Sequence, residues 1–169
     1  VSAPGEIPVK IRGFEARDQH ACAELYREGL LGGKLAGNDS GLDIDDIEAA
    51  YMRPDGNQFW VAETEDHKVI GMIGVQHHDE DVGEIRRLRV HPEYRRRGIG
   101  SRLIEEALRW CEERSYLKIT LDTYMDRDAA LKLFQKFHFR HNRTRVVNDR
   151  ELHYFYLDIY QGEARKQKE

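Results

Sequence analysis

GEIRRLRVHPEYRRRGIGSRLIEEALRWCEE, residues 83–113, is the stretch on which the reading of this chain turns. It reads as a strand, a short basic turn, two closely spaced glycines and then a periodic helix. Residues 95–100 have the form R-x-x-G-x-G, and each part has a physical use. Glycines at Gly98 and Gly100 remove side chains, so backbone N–H groups can close on a bulky anion. The helix that follows points its free N–H groups and positive dipole end at the same spot. Arg95, Arg96 and Arg97 add positive charge around it, and the arrangement suits a pyrophosphate. The run lacks G-x-x-x-x-G-K-[ST], so it is no Walker loop, and it lacks the third glycine of the dinucleotide fingerprint. A basic run of this kind also fits a nucleic-acid patch or a solvated turn. Its position after a strand and at the opening of a helix favours the anion site. The helix itself places Ile99, Leu103, Ile104, Ala107, Leu108 and Cys111 on one apolar stripe.

Upstream, residues 9–14 alternate as an edge strand, and Asp18 is a candidate N-cap for a helix to about residue 29, with Cys22, Leu25, Tyr26 and Leu30 towards the core. The stretch GLLGGKLAGNDSGLD reads as a mobile loop, followed by a short helix over about 45–52 that Pro54 stops. Residues 58–63 and 69–76 read as paired strands, in which Gly71 and Gly74 mark weak points or close packing. HHDEDVG then reads as a polar turn. In the strand after it Leu88 and Val90 share one phase while Ile85 sits on the other, which predicts either a bulge near Arg86 and Arg87 or burial on both faces. Downstream, 118–123 gives a strand, Asp126 caps a helix to about residue 137, and strands over about 140–147 and 152–159 form a hairpin around Asn148, Asp149 and Arg150. Helices and strands alternating in the middle, with hairpins at both ends, predict an α/β chain of the α+β type. Its mixed, mainly antiparallel sheet of about six to seven strands is flanked by helices and has one parallel crossover between the two central strands.

With these residues in view, 83–113 resembles the acetyl-CoA-binding core of the GNAT superfamily of N-acetyltransferases, whose signature is [Q/R]-x-x-G-x-[G/A]. The resemblance extends more loosely over about residues 9–159, one domain with terminal extensions at 1–8 and 160–169. It implies that the sheet is bulged and splayed between its two central strands to admit acetyl-CoA as acyl donor. Leu88, Arg89 and Val90 would then hydrogen-bond the pantetheine arm through their backbone, with the N–H near Leu88 polarising the thioester carbonyl. Arg95, Arg96, Arg97, Gly98, Ile99, Gly100 and Ser101 would hold the pyrophosphate. Glu84 lies eleven residues before Arg95, the spacing at which some protein-lysine acetyltransferases of the superfamily carry a glutamate base. A base there works best if burial raises its pKa; a strand glutamate paired with an arginine is the plainer reading.

The family often carries a general-acid tyrosine in a pattern like N-x-x-A-x-x-L-Y-x-x-x-G-F. Here Arg127 stands for the usual cofactor-contacting asparagine, Ala130 is retained, Phe134 stands for the tyrosine and His138 for the glycine, and the resemblance implies that Arg127, Ala130 and Phe134 line the bound cofactor. Phe134 has no proton to give, so Tyr124, after the preceding strand, or water would protonate the leaving thiolate. The resemblance implies direct transfer of an acetyl group to a primary amine of a small molecule or peptide in a ternary complex. An acyl-CoA-binding sensor module with little turnover is the alternative. A homodimer through a sheet edge is one arrangement the family uses.

Composition agrees with a single globular unit. The chain has 169 residues, 40% hydrophobic and 34% charged, with a net charge of −4 that disfavours nucleic-acid binding. His77, His78, Asp79, Glu80 and Asp81 lack the spacing of a closed metal site, and no metal is expected. Their acidity, with that of residues 39–48, offers a field for a cationic amine. No apolar run reaches membrane-spanning length and no secretory h-region opens the chain, which starts at Val1. Together with Cys22 and Cys111 on apolar helix faces, this predicts free thiols, no membrane partner and a reducing cytoplasm.

Overall fold

The computed structural model describes residues 7–28 and 39–159. The readings of Leu30, of the glycine-rich loop as far as residue 38, and of most of both terminal extensions lie outside the described residues. The strands are β1 (Val9–Gly13), β2 (Gln58–Thr64), β3 (Val69–Asp79), β4 (Val82–Val90), β5 (Lys118–Thr123), β6 (Arg140–Val147) and β7 (Arg150–Asp158). They form a seven-stranded sheet in the order β1-β2-β3-β4-β5-β7-β6, antiparallel throughout except for the β4–β5 pair. The helices are α1 (Gln19–Arg27), the short α2 (Leu42–Asp45), α3 (Ile99–Glu113) and α4 (Arg127–Gln135).

Two cores sandwich the sheet. On one face Leu103, Ile104, Ala107 and Cys111 of α3 pack with Ile73, Val75, Ile85, Leu88 and Ile119, joined by Ala130 and Phe134 of α4. On the other face Cys22 and Leu25 of α1 meet Ile44, Ile47, Tyr51, Phe59, Val61 and Met72. β2 feeds both: Trp60 and Ala62 point to the first, Phe59 and Val61 to the second, as a period of two demands. Gly74 is a close-packing glycine, since a Cβ there would lie 2.7 Å from the Tyr51 ring and 2.9 Å from Phe59. Both cysteines are free and buried, and burial pushes each thiol up to about 12.

Three local readings need correction. β3 runs on to Asp79, so His77, His78 and Asp79 are strand rather than turn; pairing with Gly83 and Val82, and the Asn57 side chain bonded to the His77 N–H at 2.7 Å, override their polarity. Asp18 occupies the N-cap position of α1 but caps nothing there. Its carboxylate accepts from the Glu15 N–H at 2.8 Å and from Arg12, closing a 3₁₀ turn over Ala16–Asp18 instead. The helix expected over about 45–52 is broken at Asp46 into α2 and a π-helical turn, Glu48–Met52. Gln19 bridges that break, donating to the Ile44 carbonyl at 2.6 Å and accepting from the Ile47 N–H at 3.1 Å, so the interruption leaves these two backbone groups satisfied.

Two features set β4 apart from the other strands. Met72 pairs with Arg89 but Gly74 pairs with Arg86, so β4 holds one extra residue, and Arg87 takes φ +59°. This is the bulge, and it puts Ile85, Leu88 and Val90 into the same core despite their broken alternation. Further, β4 pairs with β5 only over Val82–Glu84 against Lys118–Thr120. Beyond Glu84 the two parallel strands part.

Candidate active site

The parting of β4 from β5 leaves the β5-facing edge of β4 without a strand partner from Ile85 onward, and the end of β4 at Val90 shares a cleft with the start of α3. There Gly98 adopts φ +76°, ψ 7°, a left-handed conformation that suits glycine, and no atom lies within 4 Å of where its Cβ would be. The first helical hydrogen bond runs from the Arg102 N–H to the Gly98 carbonyl at 3.1 Å. The N–H groups of Ile99, Gly100 and Ser101 therefore have no helical acceptor, and no side chain caps the turn. Around this terminus lies a cleft of about 220 Å³ lined by Val90, Tyr94, Arg95, Arg96, the 98–101 turn, Met125, Leu133 and Lys136. Lys136 at the far end of α4 donates to Ser101 Oγ at 2.7 Å, adding a cation that the sequence reading missed. Free N–H groups, helix dipole and clustered cations fit a pyrophosphate on this turn.

Glu84 stands where the strands divide. Its side chain is 27% exposed, with His78 Nδ1 at 3.5 Å and Arg86 Nε at 3.9 Å. Burial raises its pKa; Arg86 opposes this and Asp122 reinforces it. Asp122, on β5 in the same phase as Thr120, is itself raised by desolvation of its carboxyl, with Arg86 opposing, although the residue as a whole is exposed. Two carboxyls with raised pKa values at one opening form an arrangement suited to proton abstraction. Asp122 was legible only as a polar residue within KITLDT; its relevance needs the parallel pairing that sets β5 beside β4.

Residues 20–139 match the Acetyltransferase (GNAT) family. The chain belongs to that family. Among curated relatives, N-acetylaspartate synthetase of Xenopus tropicalis is 38% identical over 100 residues, which is 59% of this chain and 36% of that protein. The chain thus spans about a third of the length of this relative. Among solved structures, a GNAT acetyltransferase from Staphylococcus aureus Mu50 superposes with TM-score 0.74 at 20% identity, covering 90% of this chain and 99% of the other. Spermidine/spermine N-acetyltransferase SpeG from Vibrio cholerae superposes with TM-score 0.71 at 16% identity, covering 93% and 96%. These likenesses establish the GNAT fold.

Within this GNAT fold the departures from the family pattern have physical counterparts. Phe134 is 2% exposed and its ring packs on Phe155 (5.2 Å between centroids) and Phe139 (5.8 Å), so the position is core. Ala130 is fully buried beside it, while Arg127 is exposed at the first turn of α4. His138, in the glycine place, carries φ +69°, a conformation that glycine adopts without strain. Tyr124 follows β5 and lies under the Arg150 guanidinium, 4.8 Å from ring centroid to Cζ.

Two carboxylates of the acidic stretch are already engaged, while Asp45, Asp46 and Glu48 stay exposed. Asp39 and Asp43 both bind Arg87, whose Nε and Nη2 reach the two Asp43 oxygens at 2.9 and 2.5 Å and whose Nη2 reaches Asp39 Oδ1 at 3.0 Å. Tyr51 donates its hydroxyl to Asp43 at 2.5 Å. Burial pushes the Asp39 carboxyl up, but the hydrogen bonds and charge of Arg87 win and hold it at about 2; Asp43 is lowered in the same way. The bulge residue thus ties the α2 segment to β4. Among the described residues, no group of three or more His, Cys, Asp or Glu is arranged to hold a metal ion, and no helix is long and apolar enough to cross a membrane.

Proposed function

We propose that this chain moves an acetyl group from acetyl-CoA to a primary amine of a small molecule or peptide, by direct attack within a ternary complex. The observation that carries this reading is the parting of β4 and β5 beyond Glu84, which leads to the uncapped start of α3. When bound, acetyl-CoA supplies the activated acyl carbon and a thiolate leaving group. The turn from Arg95 to Ser101 holds the pyrophosphate through the N–H groups of Ile99, Gly100 and Ser101, with Arg96, Arg97 and Lys136 adding charge. The β4 backbone at Leu88, Arg89 and Val90 aligns the pantetheine arm, and the Leu88 N–H donates to the thioester oxygen as charge builds there. Glu84 takes the proton that the amine must lose before its nitrogen bonds the acyl carbon and the carbon–sulfur bond breaks. Tyr124 or water returns a proton to the departing sulfur. The free, buried thiols of Cys22 and Cys111 support a reducing compartment such as the cytoplasm.

The buried Phe134 in place of a tyrosine favours a second reading, an acyl-CoA-binding module with little turnover. Thiol release from acetyl-CoA, followed over an amine panel in the wild type and Glu84→Gln, separates the two. Turnover that drops about 100-fold in Glu84→Gln with cofactor affinity retained supports the enzyme and its base. Tight cofactor binding without turnover on any amine supports the sensor.

A further inference from the structure

Arg89 is 7% exposed, and it is the buried charged residue that lacks an ion pair among the described residues. Asp18 and Glu63 share Arg12, Arg87 has Asp39 and Asp43, and His153 has Glu151. Arg89 Nη1 donates to the carbonyl of Leu88 at 3.0 Å, while its Nε is buried with no acceptor. The two carboxylates whose charge acts on it, Asp39 and Asp43, are both hydrogen-bonded to Arg87. Residues 29–38, the stretch between α1 and Asp39, contain no Asp or Glu that would serve instead. The Tyr26 ring lies against both cations, 5.0 Å from Arg87 Cζ and 5.9 Å from Arg89 Cζ. Desolvation, followed by repulsion from Arg87, pulls the Arg89 pKa down to about 10. An unpaired buried guanidinium is costly, and folding alone gives no reason to keep one.

Its position gives a reason. Arg89 lies on the part of β4 that has left β5, opposite Met72, on the face that packs against α1. Its Nη1 is bonded to Leu88, the residue whose N–H faces the thioester in the proposed acetyl transfer. With Nη1 engaged, the Nε–Nη2 edge of the guanidinium remains, which is the fork that takes a carboxylate through two parallel hydrogen bonds. We propose that Arg89 binds a carboxylate of the acceptor, so that the acceptor is a small amine with its carboxylate close to the reacting nitrogen: an α-amino acid rather than a polyamine or a protein lysine. Resting on the acetyltransfer reading, this assigns the side chain of Arg89 a role separate from its backbone: it orients the amine by its neighbouring anion and satisfies its own buried charge when the acceptor arrives.

The test uses the full chain with saturating CoA and reads thermal stabilisation by each of the twenty amino acids against its α-carboxamide, which differs only in lacking the anion. One or more free amino acids should raise the melting temperature of the wild type while the matching amide does not, because a ligand that binds only the folded state stabilises it. Arg89→Met should bind that amino acid about ten- to a hundredfold more weakly, the range for lost charge-assisted hydrogen bonds. Arg89→Lys should recover part of the loss, which a purely structural role would not predict. Equal stabilisation by acid and amide, no stabilisation by any amino acid, or an affinity unchanged in Arg89→Met would each overturn the proposal. Amino-acid binding through Arg89 without acetylation of any amine would instead sink the enzyme reading and leave the carboxylate site standing.

Discussion

Replacing Arg87 by Met should cost about 3 kcal/mol of folding stability. Removing one partner of a buried ion pair typically costs about 3–5 kcal/mol, because the other charge is left without compensation. The Arg87 side chain is 7% exposed and Asp43 13%, which places that pair in this class, whereas Asp39 at 22% can recover some hydration and pulls the figure to the lower end. The positive φ of Arg87 is retained by Met, so backbone strain cancels in the comparison. For a chain of this size the loss corresponds to a fall in Tm of roughly 6–12 °C. The pH dependence gives a second handle. Both carboxyls sit below their ordinary value when folded, Asp39 at about 2. Their stabilisation is therefore complete above the unfolded pKa of about 4 and is lost as pH falls towards about 2. Arg87→Met should abolish that acid-side loss. Urea unfolding followed by the fluorescence of Trp60 and Trp110, packed edge to face at 5.6 Å, measures both effects at neutral pH and at about pH 3. Adding Asp43→Asn to the variant should restore about 1 kcal/mol or more, since it removes the stranded charge. A loss below about 1 kcal/mol at neutral pH, with the acid slope unchanged, would refute the Arg87 clamp.

Gly98→Ala should weaken acetyl-CoA binding by about tenfold, because a Cβ meets no protein atom there but forces φ +76° on a residue that resists it by about 1–2 kcal/mol; calorimetric titration checks this. The acid limb of kcat/KM should rise with pH through a value above that of an ordinary glutamate, vanish in Glu84→Gln, and move to lower pH in Asp122→Asn, which removes a charge that raises Glu84. His138→Gly should leave stability unchanged or raise it by up to about 1 kcal/mol in urea unfolding, since φ +69° strains histidine and not glycine.

What was legible in the sequence followed local rules. The apolar stripe of α3, the helix after Asp126 and the Asn148–Asp149 hairpin turn, both of whose residues take positive φ, are set by neighbours a few positions apart. The bulge was visible as a broken period at Ile85, Leu88 and Val90. The illegible parts are long-range. Arg87 meets Asp43 and Asp39 across 44 and 48 residues, so these two of the carboxylates expected to attract an amine could not be seen to be occupied. Asp122 joins Glu84 only because β5 runs parallel to β4, and Lys136 meets Ser101 only because the far end of α4 returns to the start of α3. The insertion of β7 between β5 and β6 likewise has no local signal. Arg89 was read for its backbone alone; that its side chain is buried without a counter-ion is a fact of packing.

That the parted strands and the turn at Gly98 form an acetyl-CoA-dependent N-acetyltransferase site is tested most directly by product stoichiometry. The chain is incubated with acetyl-CoA and an amine panel that includes the free amino acids, and released CoA thiol and acetylated amine are quantified together by thiol titration and mass spectrometry. One acetylated amine is expected for each thiol released, at a rate that Glu84→Gln and Gly98→Ala both depress. Thiol release without acetylated amine, or acetylation at an undiminished rate in both variants, would contradict such a site.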